Sequence, residues 1–167
     1  MKKLFLLSAI LFGSITVSNA QDISKNAIGL RIGDSDGFGT EVSYQRALGD
    51  NNRLELDLGW RSGRNYNGFK LAGLYQWVWN IDGGFNWYAG AGGGLGSYSF
   101  DNYYFDNNGN NNKDYNETFV FLAGDIGIEY NFDFPLLLSL DFRPEFGFGD
   151  VRDDLDFDIG LGVRYQF

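Results

Sequence analysis

Acids and bases that could do chemistry recur in this sequence at alternate positions of otherwise apolar segments. Glu41, Glu55, Asp57, Asp125, Glu129, Asp141, Glu145, Asp156 and Asp158 fall on the same alternation as Arg31, Arg53, Arg61, Lys70, Arg143 and Arg164. A period of two gathers them on one face of a set of strands. Buried there, charges must be paired, because losing one partner of a buried pair costs about 3–5 kcal/mol. The expected use is a structural plug of salt bridges, since narrow barrels are filled by their own side chains. The alternative is a proton or ion path lined by the surplus carboxylates.

Other chemistry is narrowed by what the chain lacks. It has no Cys, which excludes disulfides, thiolate metal sites, Cys nucleophiles and a lipid-modified Cys anchor. It has no His, so the usual general base is missing. Carboxylate pairs could still act as acid and base, but no enzyme is expected. One loop has a metal-like spacing. Asp106, Asn108, Asn110, Asp114 and Glu117 fall at the first, third, fifth, ninth and twelfth positions of a Ca²⁺ loop. Against that reading, Asn111 stands where Gly belongs, Lys113 replaces an apolar residue, and no helical pattern flanks the loop. A solvated Asn-rich loop with no cofactor is expected, with Ca²⁺ as the alternative.

The elements that position these groups follow a leader. Lys2 and Lys3 precede an apolar run over residues 4–12, and Ser18-Asn19-Ala20 is a small-x-small site, the pattern of a signal peptide over residues 1–20. A short buried N-terminal helix is the other reading. Of 13 basic residues, Lys2 and Lys3 leave with the leader, so 11 would face 22 acidic ones, a net −11. That balance suits neither nucleic acid nor adhesion to anionic lipid through bulk charge. Residues 21–167 read as one domain. No later apolar run approaches the roughly 20 residues of a membrane-crossing helix.

Eight alternating segments fill that domain. Ile28, Leu30 and Ile32 oppose Gly29, Arg31 and Gly33. Val42 and Tyr44 oppose Glu41, Ser43 and Gln45. Leu54, Leu56, Leu58 and Trp60 oppose Arg53, Glu55, Asp57 and Arg61. The fourth segment runs over residues 69–79, with Leu74 and Val78 breaking the polarity of the Lys70 face. The fifth alternates Trp87, Ala89, Ala91 and Leu95 with Tyr88 and glycines. Residues 97–117 read as the longest loop. Segments over 120–130, 136–147 and 155–167 complete the set. Turns after the second, fourth and sixth segments are tight, whereas the loop after the fifth is long, the asymmetry of bacterial barrels with short periplasmic turns and longer external loops.

Volume decides which face is outside. A soluble barrel of the lipocalin kind would turn its apolar face inward. Here that face carries Trp60, Trp77, Trp79, Trp87, Phe69, Phe142 and Phe157 beside many aliphatics, too much for a lumen only wide enough for ordinary side chains. The apolar face is therefore expected to meet lipid, and the sheet must close, because a bilayer offers no water to an open edge. Tyr44, Tyr75, Trp77, Trp79, Phe85, Trp87, Tyr130, Tyr165 and Phe167 sort toward the rim with the short turns. Trp60, Phe69, Phe119, Phe146 and Phe157 sort toward the other. Two aromatic girdles mark the two interfaces of a membrane.

The final strand, Ile159-Gly160-Leu161-Gly162-Val163-Arg164-Tyr165-Gln166-Phe167, resembles the C-terminal assembly signal of outer-membrane proteins, with Tyr165 and Phe167 as its aromatic pair. The glycine-dense Trp87-Tyr88-Ala89-Gly90-Ala91-Gly92-Gly93-Gly94-Leu95-Gly96 is similar to a strand of the small outer-membrane barrels of the OmpX/Ail and OmpA-barrel type. That resemblance implies an all-β, eight-stranded antiparallel up-and-down transmembrane barrel. It implies outer-membrane lipid and the barrel-assembly machinery as partners, and export through the Sec signal peptide to the bacterial outer membrane. No tether to the cell wall is implied. The expected function is a non-enzymatic surface barrel presenting external loops for surface structure or adhesion, with an unidentified ligand at the long loop around Tyr103, Tyr104 and Tyr115. A narrow ion-conducting pore is the alternative, and a lipid-modifying enzyme the third.

Overall fold

Alternation becomes geometry in the computed structural model, which describes residues 23–33, 39–62, 66–100, 115–148 and 154–167. The leader over residues 1–20 lies outside these. So do Asp106, Asn108, Asn110, Lys113 and Asp114 of the Ca²⁺-like loop. The strands are β1 (Asn26–Ile32), β2 (Thr40–Ala47), β3 (Asn52–Ser62), β4 (Tyr66–Asp82), β5 (Phe85–Phe100), β6 (Tyr115–Asn131), β7 (Leu136–Phe148) and β8 (Leu155–Gln166). Each pairs antiparallel with its sequence neighbours, and β1 pairs with β8, so the sheet closes into an eight-stranded up-and-down barrel. Each of the eight strands thus has a hydrogen-bonded neighbour on both sides.

The closing seam is also covalently remote. Ala27 faces Gln166, and Ile32 faces Leu161. Asn26 N–H donates to Phe167 O at 3.0 Å, and Phe167 N–H donates to Asn26 O at 2.9 Å. At the end with the chain termini the turns are tight. In the β4–β5 turn Gly83 adopts a left-handed φ of 52°, and Asn80 Nδ2 donates to the carbonyls of Gly83 and Phe85. That φ costs little only without a Cβ.

One wall is taller than the others. β4, β5 and β6 hold 17, 16 and 17 residues, well past the 9–11 that a tilted strand needs to cross a bilayer. The β5–β6 register continues to Phe100 opposite Tyr115. The loop expected over 97–117 is therefore shorter at both ends. Glu117 sits in the ladder opposite Tyr98, and Ser97 Oγ donates to its carbonyl at 3.0 Å. Polar residues there hid a ladder that continues through backbone pairing.

Two features interrupt regularity. The β5 glycines make room: a Cβ on Gly94 would lie 2.5 Å from Phe121 Cζ, and Gly96 is likewise covered by the Phe119 ring. Glycine in a strand here serves close packing. Phe119 thus points inward, buried against Phe121, not outward in the upper girdle. Pro144 lies within β7, and the β6–β7 ladder passes from Ala123–Glu145 to Ile126–Phe142 without the two pairs between. Proline has no N–H to contribute to a ladder.

Candidate functional site

Because the barrel is closed, its two faces have separate fates. Outside, Leu58, Trp60, Leu122, Ile126, Phe157, Ile159 and Leu161 are exposed in a continuous apolar surface. At the short-turn rim Trp79 stacks on Trp87 with ring centroids 4.3 Å apart, and Phe85 lies 4.5 Å from Tyr130. Tyr165 and Phe167 stack outward beside them at 6.4 Å. At the opposite rim Phe142 stacks on Phe157 at 5.6 Å, and Phe146 meets Phe148 at 4.9 Å. Apolar patches this broad do not belong in water. The surface is one for hydrocarbon, framed by aromatics at both edges.

Inside, Arg31, Glu41, Glu55, Asp57, Lys70, Asp125, Glu129, Asp141, Arg143, Glu145, Asp158 and Arg164 are all buried, joined by Arg53. Arg31 on β1 gathers three carboxylates: Glu41 of β2 at 3.2 Å, Asp158 of β8 at 2.6 Å, and Asp141 of β7. Arg143 on β7 reaches across to β3, meeting Glu55 at 2.9 Å and Asp57 at 2.8 Å. Arg164 on β8 also holds Glu55, at 3.2 Å, and donates to Ser43 and Ser139 hydroxyls. Arg53 pairs with Glu129 at 2.7 Å, and Lys70 with Glu145 at 2.6 Å. Apart from Arg31 with Glu41 and Asp158, and Arg164 with Ser139, these bonds tie strands that no backbone ladder joins.

Two charged residues expected on this face stand apart from the buried set. Arg61 is exposed at the far end of β3, and Asp156 is half-buried near the start of β8. Parity is right for both, but each lies where the lumen opens. Neutral side chains that charge patterning passed over complete the network. Gln45 donates to Glu55 at 2.6 Å, Asn86 to Glu129 at 3.2 Å, and Arg53 to Gln76 Oε1 at 2.6 Å. The Arg53 guanidinium also lies 4.8 Å over the Tyr88 ring. Parity with the charged positions is the signal that could have found them.

Above the ions the filling turns apolar. Ala72, Leu74, Phe119, Phe121 and Ala123 form a cluster with Tyr98 packed against it. Lys70 Nζ sits 5.0 Å over the Phe121 ring, joining the two zones. At the short-turn end a hollow of about 10 Å³ lies among Ala27, Arg53, Glu129 and Leu137, room for about one water. Of the Ca²⁺-like ligands only Glu117 is described, and it belongs to the strand ladder.

Comparison with known proteins places this geometry. No protein-family model matches the chain, and no curated protein matches it in sequence. Solved structures do match in shape. Neisserial surface protein A superposes with a TM-score of 0.58 at 15% identity, over 85% of this chain and 94% of that one. The N-terminal barrel domain of OprF from Pseudomonas aeruginosa gives 0.55 at 17%, over 85% and 95%. Ail, the attachment invasion locus protein of Yersinia pestis, gives 0.54 at 16%, over 86% and 97%. With an apolar exterior, an ionic interior and this strand order, the chain has the fold of the small eight-stranded outer-membrane β-barrels.

Proposed function

We propose that this protein is a non-enzymatic barrel of the bacterial outer membrane, a rigid plugged scaffold that presents its longer loops outside the cell. The observation that carries the reading is the inversion of its faces, apolar outward and ionic inward. A soluble barrel would leave the outward Leu, Ile and Phe in water; a membrane barrel leaves them in lipid. The salt-bridged lumen supports a scaffold over a conduit, because side chains fill the axis. The loop over residues 101–114, with Tyr103 and Tyr104, supplies the contact surface for surface structure or adhesion, together with Tyr115 at the start of β6. Tyrosine provides large amphipathic contacts at low entropic cost.

The test replaces residues 101–114 with a short Gly-Ser turn in cells displaying the protein. The variant should stay heat-modifiable in the outer-membrane fraction yet lose binding to host-cell or matrix surfaces. Equal binding by both forms would overturn the adhesive reading. The excess of buried carboxylates over cations favours a second reading, a narrow cation-conducting pore. Planar-bilayer recording separates the two: the plugged scaffold gives no steady unitary current, and the pore gives a cation-selective one.

A further inference from the structure

Among the described residues the lumen buries five cations, Arg31, Arg53, Lys70, Arg143 and Arg164, against eight carboxylates. Seven of those carboxylates form an ion pair with a guanidinium or an ammonium. Asp125 is the exception. Its Oδ2 accepts a hydrogen bond from the neutral amide of Gln76, and its Oδ1 is buried with no hydrogen-bond partner. Gln76 on β4 donates to it, and the charged or titratable groups close enough to act on it through the lumen are Arg143 and Asp141 on β7, Glu55 on β3 and Tyr88 on β5. Arg143 donates to Glu55 and Asp57 through Nη2, and its Nε and Nη1 make no hydrogen bond, to Asp125 or to any other group. Asp141 is its diagonal neighbour across β6–β7, since Gly127 faces Asp141 in the register. Asp141 Oδ2 is also buried without a hydrogen-bond partner.

A carboxylate sealed in a lipid-surrounded lumen without a cation of its own is neutralised in preference to staying charged. We infer that Asp125 is a proton-binding site, holding one proton on its carboxyl group in neutral buffer. The proton comes from water during folding and stays on Oδ1, while Oδ2 accepts from Gln76. A metal ion is a poor substitute, because among the described residues no three acidic side chains converge to hold one. The site rests on the ionic interior alone and holds whether or not the loops bind anything.

Infrared difference spectroscopy of the refolded barrel in lipid vesicles tests this. Wild-type protein at neutral pH should show a protonated-carboxyl C=O band above amide I, and Asp125→Asn should lack it. Raising the pH should abolish the wild-type band. The wild-type melting temperature should fall with it, because the folded state keeps a proton that the unfolded chain releases. Asp125→Asn, neutral at every pH, should not show that fall. A wild-type spectrum without the band at neutral pH would mean that Asp125 is ionised and shares Arg143 through water, and would overturn the inference. So would a band that survives in Asp125→Asn. If Asp125→Asn does not fold, Asp125→Glu takes its place, and a wild-type band that does not shift in frequency in that variant overturns the inference. A band absent in Na⁺ buffer but present in N-methylglucamine would assign the site to Na⁺ and also overturn it.

Discussion

Arg143 on β7 and Glu55 on β3 meet across the full width of the barrel, Nη2 to Oε1 at 2.9 Å, although three strands separate them around the wall in either direction. No backbone ladder could join these strands. The ion pair works as a strut, and its worth depends on both ends being present. Arg143→Met leaves Glu55 with fewer partners and Asp57 without one, so it should destabilise by about 3–5 kcal/mol. Glu55→Gln with Asp57→Asn in the same background should recover much of that. Denaturant titration in vesicles, followed by tryptophan fluorescence, reads both; equal losses in single and combined variants would deny the strut.

Leu161 tests the direction of the faces. It is 49% exposed at mid-height on β8, opposite Leu140. Leu161→Arg should cost about 2–4 kcal/mol in vesicles. A spin label at Leu161→Cys should collide with oxygen much more often than with a polar nickel reagent. Preference for nickel would place this face in water.

Gly160 tests how tightly the lumen is filled. A Cβ there would meet Nε of Arg31 at 2.5 Å, whereas one at Gly49 would meet nothing within 4 Å. Gly160→Ala should therefore destabilise by about 1–3 kcal/mol, as overpacking does. Gly49→Ala should stay within about 0.5 kcal/mol of wild type. Equal effects at both positions, measured by the same unfolding titration, would mean that Arg31 moves aside freely.

Deleting Phe167 removes both of its backbone hydrogen bonds with Asn26 and one member of the outward stack with Tyr165. The leader should still be cleaved, but less protein should reach the heat-modifiable form in the outer-membrane fraction. Unchanged yield would remove any assembly role for the terminal aromatic pair.

Orientation is checked by protease on intact cells. Cleavage should fall near Lys113 and spare the turns at Asp50 and Asp82. The reverse pattern would invert the barrel and exchange its girdles.

Strand count, closure and sidedness were legible because each residue step in a strand swaps faces, so a charge or a leucine reports its side directly. Strand ends were not. Ser97, Ser99 and Asn116 look like loop residues, yet the β5–β6 ladder includes them through backbone bonds that no side chain announces. Phe119 misled because an aromatic reads as lipid-facing, and only Gly96 beneath it leaves room inside. Partner choice was hidden too. That Arg31 meets Asp141 and Asp158, 110 and 127 residues away, depends on closure and register together.

That last relationship also orders the assembly. β1 is the first strand made and the shortest, and β8, which it must join, is the last. Until they meet, Arg31 has only Glu41 from its own hairpin, and the guanidinium needs water. Contacts so distant along the chain form late, because loop closure must precede them. Sealing the cylinder and drying its axis are therefore one event: an incompletely zipped sheet keeps a wet cleft along β1, and the dry state exists only once the ring is complete.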